Sequence, residues 1–288
     1  MFIDRVATQL FFSPELAPLS ASLAAGEDAN LAVAQSARPL VVAATWTRDP
    51  RPCLLIVSGE EAADRVARAL SAWLGQGVVL RYPERGDWPW SDRAADIAAI
   101  GARAHAMMRL SLGENCVVVA SARSLLRRVP PVGSGYFMPS TFAVGDELEI
   151  GDAAELLVGM GYADVGASKD VSVPGSFCLH GDSLDVFPAQ ASSPVRVEFF
   201  GDEIDRVRRM VPATGQTIGD CTDVSVLPCR EIALTHETIG RAQEALGSLA
   251  KNSSRVAADL ALIEQASSAP SLDRYLPQLY GGSASPID

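Results

Sequence analysis

The 288-residue sequence lacks any apolar run long enough to cross a membrane, and its N-terminus lacks a secretory signal. In residues 1–18 an aspartate, Asp4, precedes the apolar stretch, and no small-residue cleavage site follows it. The five cysteines are odd in number, widely spaced and mostly placed within apolar runs. Because disulfide frameworks need paired cysteines in an oxidising compartment, we expect reduced thiols in a cytoplasmic protein without a membrane partner.

Metal-ligand spacing is also absent. The three histidines and five cysteines form no C-x-x-C or H-x-x-x-H motif, so the sequence predicts no metal ligands. Aspartate is common in turns, and we therefore interpret the densest acidic group as solvated turn and strand-edge residues rather than acid–base catalysts. This group consists of Asp182, Asp185, Asp202, Glu203 and Asp205. No catalytic residue is predicted.

No phosphate loop follows the first predicted strand, residues 30–34. A nucleotide-hydrolysing domain would carry G-x-x-x-x-G-K-[ST] at that place. Here the chain has QSARP (residues 35–39), without a glycine to wrap a phosphate or a lysine to reach it, and Pro39 removes a donor N–H. A G-x-G-x-x-G fingerprint is absent as well. We expect no nucleotide cofactor and no enzymatic activity in this chain.

Positive charge is scarce, and the net charge is −11. Residues 135–230 hold 15 acidic and 6 basic residues, a net charge of −9. Nonspecific nucleic-acid binding requires cationic surface to displace counterions from phosphates. The charge therefore favours a protein partner over DNA for this part of the chain.

The first half of the sequence has the pattern of an α/β domain. Apolar strand-like runs at residues 53–58, 78–82 and 116–121 alternate with helical periodicity at residues 60–75 and 92–112. A short helix at residues 122–128 closes the series. Strands rich in Val, Ile and Leu that alternate with helices predict a parallel sheet covered on both faces.

After residue 133 the pattern changes to that of an α+β domain. A helix at residues 152–160 precedes four or five short antiparallel strands within residues 173–228, and residues 236–266 are helical again. We therefore predict domains at residues 1–133, 134–231 and 232–288, the last being a helical return towards the first domain that is cut short at residue 288.

The strand-like run VRVEFF (residues 195–200) has two unlike faces. Val195, Val197 and Phe199 fall on one face, which is typical of core. The other face carries Arg196, Glu198 and Phe200, and a large aromatic ring among charges suggests a contact surface. Glu198 either pairs with Arg196 or is solvated.

Three motifs resemble the second domain shared by bacterial UvrB and the transcription-repair coupling factor family (Mfd). They are PGSFCLHGDSLDVFP (residues 174–188), VRVEFFGDEIDRVR (residues 195–208) and LPCRE (residues 227–231). VVVASARSLLRRVPP (residues 117–131) is similar to the end of the first domain of that family. The resemblance implies a degenerate, helicase-like (P-loop-derived) parallel-sheet domain without a phosphate loop, and an inserted α+β domain of antiparallel strands.

Within this resemblance the chain is more similar to the coupling factors than to UvrB. UvrB would carry a working phosphate loop and a long DNA-gripping hairpin before residues 116–121, where only Gly113, Glu114 and Asn115 stand. The resemblance implies a module that recruits UvrA for nucleotide excision repair. It also implies a downstream motor that uses ATP and Mg²⁺ on DNA to displace stalled RNA polymerase. The alternative is an ATP-dependent, UvrB-like or helicase-like DNA-binding subunit.

The family contacts UvrA through two arginines and a phenylalanine, which fall here at His180, Arg196 and Phe200. Arg196 and Phe200 match, whereas His180 replaces an arginine and is shorter and less often charged. The resemblance also implies that a later domain of a longer chain could cover this surface by an intramolecular contact.

Overall fold

The computed structural model describes residue 9 and residues 13–75, 77–87, 94–167, 171–266 and 269–287. The described chain falls into two units, Met1–Glu84 with Arg109–Ser124, and Arg85–Met108 with Leu125–Asp288. Among the described helices, none combines the length and the apolar character that crossing a bilayer requires. The predicted domain boundaries stay a prediction.

The first unit alternates helices with strands, as the sequence predicts. After a 3₁₀ helix at Pro14–Leu16 its elements are α1 (Ala17–Ala24), α2 (Arg38–Arg48), β1 (Cys53–Val57), α3 (Glu60–Leu74), β2 (Val79–Tyr82) and β3 (Val117–Ser121). The three strands form a parallel sheet in the order β1-β3-β2. The central strand β3 is buried along its whole length. It packs with Ala43 of α2 and with Ala63 and Leu70 of α3 in one apolar core.

Two predictions for this unit are wrong. Residues 30–34 form no strand; they have no regular structure and are mostly exposed, and apolar composition alone gives a segment no hydrogen-bonding partner. The sheet is not fully covered either, because Leu54 and Ile56 of β1 are 40% and 51% exposed. The reason is position, since β1 is the edge strand and β3 occupies the buried centre.

The second unit begins at Arg85 and includes most of helix α4 (Ile97–Ser111). The predicted start of this helix, Asp92, lies outside the described residues. The predicted helix at residues 122–128 is reduced to one 3₁₀ turn, Ser124–Leu126, before the prolines Pro130 and Pro131. The elements that follow are β4 (Ser140–Ala143), α5 (Ile150–Gly159), β5 (Ala163–Asp164), β6 (Ser176–His180), β7 (Ser183–Phe187), β8 (Val195–Phe200), β9 (Glu203–Met210), β10 (Thr217–Cys221), β11 (Asp223–Val226), α6 (His236–Ala250), α7 (Ser254–Glu264) and α8 (Leu276–Tyr280).

A six-stranded sheet dominates this unit, in the order β10-β9-β8-β7-β6-β5. Its strands are antiparallel except for the parallel pair β5–β6. Strands β4 and β11 form a separate antiparallel pair. Phe142, Leu157, Phe177, Leu184 and Val197 belong to one core under the large sheet. The mixed α/β architecture, with one parallel sheet and antiparallel strands after it, is confirmed.

A buried ion cluster joins distant parts of the second unit. Arg85 donates to Glu231 at 2.5 Å, to Asp87 at 3.1 Å and to Asp273, while Arg103 of α4 donates to the other Glu231 oxygen at 2.8 Å. Arg85, Arg103 and Glu231 are all nearly inaccessible to solvent. Burial opposes ionisation of Glu231, but the charges of Arg103 and Arg85 outweigh it and lower the pKa of Glu231 to about 2. The cluster holds Asp273, in the 3₁₀ helix Pro270–Tyr275, against the residues that precede α4.

Candidate functional site

One side of the six-stranded sheet is polar, and the candidate site lies on it. Val195, Val197 and Phe199 of β8 are 7%, 0% and 7% exposed and belong to the core. The residues between them point to the opposite side, as the alternation predicts. We call this opposite side the polar face; it carries Cys178, His180, Ser183, Asp185, Arg196, Glu198, Phe200 and Arg208.

Arg196 is held by a carboxylate from the next strand. Its Nε and Nη2 atoms donate to Oδ1 and Oδ2 of Asp185 at 2.6 and 2.7 Å. The two residues face each other in the β7–β8 register, and Asp185 is 2% exposed. Hydrogen bonding to Asp185, opposed by partial burial, raises the pKa of Arg196. The guanidinium is therefore fixed in one orientation and permanently charged.

Asp185 corrects the interpretation of the acidic group. Asp182, Asp202 and Glu203 are exposed at turns or strand ends, as predicted, and Asp205 is exposed within β9. Asp185 instead sits in the middle of β7 and is buried. The alternation of Leu184 and Val186 into the core could have indicated this, because it places Asp185 on the other face at mid-strand.

His180 lies beside the same carboxylate. Its Nε2 is 3.0 Å from Sγ of Cys178, with which it is hydrogen bonded, and 3.8 Å from Oδ2 of Asp185. The His180 side chain is one-third exposed. The structure thus brings His180 and Arg196 together around Asp185. Cys178, His180 and Asp185 are also the residues here that could hold a metal ion, with ligand atoms within 4.8 Å of one another.

Glu198 forms its ion pair with Arg208 and not with Arg196. Its carboxylate accepts from Nη2 of Arg208, on β9, at 2.9 Å. Arg208 also lies 3.8 Å from Asp220 of β10. Because Arg196 is already bound to Asp185, Glu198 takes the arginine of the next strand. Cross-strand ion pairs of this kind extend from β7 to β10.

Phe200 ends β8 and is the most exposed large apolar residue of the described chain, at 83%. It faces Glu203 across a two-residue turn made by Gly201 and Asp202. Gly201 has a φ of +63°, which favours glycine, and no atom lies within 4 Å of where its Cβ would be. Phe200 lies four positions after Arg196, which is about 13 Å along a strand. The ring therefore marks the far end of the polar face.

Residues 35–39, where a nucleotide-hydrolysing domain would carry its phosphate loop, form a turn and the start of a helix. Residues Gln35–Ala37 form a 3₁₀ turn, and Pro39 lies in the first turn of α2. The segment ahead of this turn is irregular, so the strand–loop–helix arrangement that a phosphate loop needs is not formed by residues 30–39.

Comparison with known proteins identifies the family that this chain resembles. Residues 141–231, which contain the polar face, match the model of the UvrB interaction domain. The transcription-repair-coupling factor of Myxococcus xanthus is 36% identical over 206 residues, covering 69% of this chain and 17% of that protein. Its counterpart from Bacillus subtilis is 29% identical over 225 residues, covering 78% of this chain and 19% of that protein.

UvrB proteins are similar as well. The UvrABC system protein B of Thermotoga petrophila is 26% identical over 229 residues, which is 75% of this chain and 34% of that protein. The chain spans less than a fifth of the length of the two coupling factors it matches.

Proposed function

Since this chain is a UvrB-like relative of the transcription-repair-coupling factors, we propose that it is the module with which such a factor recruits UvrA in nucleotide excision repair. The polar face is the proposed docking surface, and Arg196, Phe200 and His180 are its proposed contacts. One observation carries the proposal: the polar face presents both Phe200, which is 83% exposed, and Arg196, whose guanidinium is already held in place by Asp185.

Physical chemistry supports this assignment of the contacts. Binding energy at protein interfaces concentrates in aromatic and arginine side chains. Phe200 offers a large apolar area that water covers in the free chain. Arg196 is ordered before binding, so docking costs little of its rotamer entropy. A partner surface that buries the ring and offers an acceptor to Arg196 fits both residues.

The negative charge around Phe200 favours a partner surface that is positively charged. Glu203 lies opposite Phe200, and Asp202 is in the turn between them. Residues 135–230 carry a net charge of −9. We propose that the UvrA surface has a pocket for the ring and basic residues around it. Charge complementarity of this kind accelerates association more than it tightens the complex.

The other activities of the coupling factor belong, in this proposal, to a longer chain. ATP and Mg²⁺ are bound by a downstream motor, and DNA and RNA polymerase are contacted by downstream domains. The present chain contributes no nucleotide site and no catalysis, and its first unit is a degenerate helicase-like domain. The absence of glycine and lysine from QSARP and the 3₁₀ turn at Gln35–Ala37 support this. The expected compartment is the cytoplasm.

Titration of UvrA with the purified chain tests the proposal. We expect saturable one-to-one binding, no ATP turnover, and no DNA binding that weakens steeply with salt. Lack of UvrA binding contradicts the proposal, whereas ATP turnover would favour the ATP-dependent helicase-like subunit instead. If a later domain covers the polar face, the full-length protein will bind UvrA more weakly than this chain does.

A further inference from the structure

We propose that Cys178, His180 and Asp185 form a binding site for a divalent transition-metal ion of the zinc class. The proposal rests on side-chain geometry in the second unit, and it uses His180, which is also a proposed UvrA contact. The three residues come from adjacent strands: Cys178 and His180 are two positions apart on β6, and Asp185 faces Cys178 from β7. The spacing C-x-H joined to an aspartate of the next strand matches no short metal-binding motif, and the site depends on the pairing of β6 with β7.

The distances are close to those of a metal centre. A tetrahedral zinc ion with bonds of about 2.3 Å to sulfur and about 2.0 Å to nitrogen or oxygen places its ligand atoms about 3.3–3.7 Å apart. Here Cys178 Sγ and His180 Nε2 are 3.0 Å apart, and His180 Nε2 and Asp185 Oδ2 are 3.8 Å apart. All three atoms lie within 4.8 Å of one another. The first two separations each differ by about half an ångström or less from the tetrahedral values.

The ligand set fits zinc and cobalt better than magnesium or calcium. Thiolate and imidazole are soft or borderline ligands that favour Zn²⁺, and a carboxylate commonly completes such a set. A Cys178 thiolate and the Asp185 carboxylate supply two negative charges, of which the Arg196 guanidinium already offsets one. The fourth position is open to water or to a ligand from a partner.

The surroundings resemble those of established metal sites. Arg196 holds the Asp185 carboxylate through both oxygens, and metal-bound carboxylates are usually oriented by such donors. A small apolar cluster that includes Val171 and Phe187 packs around Cys178 and keeps its sulfur away from bulk water. His180 is one-third exposed and provides the path of entry. The nearby guanidinium carries positive charge, which limits affinity without removing any ligand.

Metal binding would replace the hydrogen bond between Cys178 and His180: the Cys178 thiol gives up its proton to solvent, and the metal bonds to Sγ, to His180 Nε2 and to Asp185 Oδ2. Zinc binding at neutral pH should therefore release about one proton per ion, and affinity should fall as the pH is lowered.

Titration of the reduced chain with Co²⁺ tests the site. We expect saturation at one equivalent, with thiolate-to-cobalt charge-transfer absorption and the visible bands of a tetrahedral centre, both abolished by Zn²⁺. Cys178→Ser and His180→Asn should each weaken binding at least 100-fold, beyond the about 10–100-fold that loss of an outer-shell partner costs. Cys221→Ser, at a half-buried cysteine of β10 outside the cluster, is the matched control and should bind as the wild type does.

Two results would overturn the proposal. One is the absence of charge-transfer absorption when Co²⁺ is added to the wild-type chain. The other is absorption that persists unchanged in either ligand variant. His180 is partly exposed, so His180→Asn is expected to fold even if serine at the buried position of Cys178 disturbs the sheet.

Discussion

Arg196 and Asp185 form a two-point ion pair across β7 and β8, with donor–acceptor distances of 2.6 and 2.7 Å. The carboxylate is buried, and the guanidinium is about one-third exposed. The buried Asp185 carboxylate therefore depends on Arg196 to compensate its negative charge, whereas the Arg196 side chain remains partly accessible to solvent. This asymmetry means that a substitution at either residue tests the stability of the sheet as well as any interface.

The first prediction concerns this pair. Arg196→Ala leaves the Asp185 carboxylate buried without its partner and should lower the free energy of unfolding by about 3 kcal/mol. The double variant Asp185→Asn/Arg196→Gln should lose clearly less free energy of unfolding than the sum of the losses in Asp185→Asn and Arg196→Gln. Denaturant unfolding of the wild type, the two single variants and the double variant measures this difference. The exposed pair Arg206–Asp205, at 3.4 Å, is the matched control, and Arg206→Ala should change stability by less than about 1 kcal/mol. Additive costs at positions 185 and 196 would show that the pair is not coupled.

The second prediction concerns a close approach of α4 to a neighbouring loop. A Cβ at Gly101 would lie 2.3 Å from the backbone carbon and oxygen of Ala189. Gly101→Ala should therefore destabilise the chain by at least about 2 kcal/mol, since neither backbone can yield freely. Gly247→Ala in α6, where no atom lies within 4 Å of the added carbon, should instead stabilise it by about 0.5–1 kcal/mol. Equal effects of the two substitutions on thermal unfolding would contradict this packing.

The third prediction concerns acid stability. The pKa of Glu231 is about 2 in the folded chain against an ordinary value of 4.5. Because the folded state binds this proton less tightly than the unfolded state, the stabilisation is complete above pH 4.5 and is lost as the pH falls towards 2. The loss is on the order of 3 kcal/mol. Burial raises the pKa of Asp273, which makes the folded chain more stable as the pH falls and partly cancels the effect of Glu231. The contribution of Glu231 is therefore measured by comparing the wild type with a variant at this position.

Glu231→Gln is that variant. It should be less stable at neutral pH by about 3 kcal/mol, because Arg85 and Arg103 lose a buried counter-charge. Its free energy of unfolding should then fall less steeply than that of the wild type between pH 4.5 and 2. Parallel curves over this range would mean that Glu231 does not carry the acid sensitivity.

Local periodicity was enough to predict the parts of the fold that depend on it. The alternation along β8 correctly assigned Val195, Val197 and Phe199 to the core and the residues between them to the other face. β7 has the same alternation, but aspartate is common in turns, and this general tendency led to the wrong interpretation of Asp185 as a solvated residue. Composition misled at residues 30–34, because an apolar run becomes a strand only where a neighbouring strand pairs with it.

Relationships between strands were not accessible from the sequence. The contact of His180 with Cys178 and Asp185, and the choice of Arg208 by Glu198, depend on the register of β6, β7, β8 and β9. Register is set by turn geometry and by core packing across the whole sheet. A single sequence without related sequences to compare gives no direct measure of either.

The most direct test of the central claim is the affinity of UvrA for the Phe200→Ala variant. Because the Phe200 side chain is 83% exposed, the variant should fold as the wild type does. Ile218→Ala is the matched control, because Ile218 is also well exposed, at 65%, but lies far from Phe200. Its neighbour Thr217 pairs with Met210 at one end of β9, whereas Phe200 pairs with Glu203 at the other end. The account predicts that Phe200→Ala raises the Kd at least about 30-fold, a loss of about 2 kcal/mol, while Ile218→Ala stays within about twofold of the wild type. Binding of Phe200→Ala as tight as that of the wild type would contradict it.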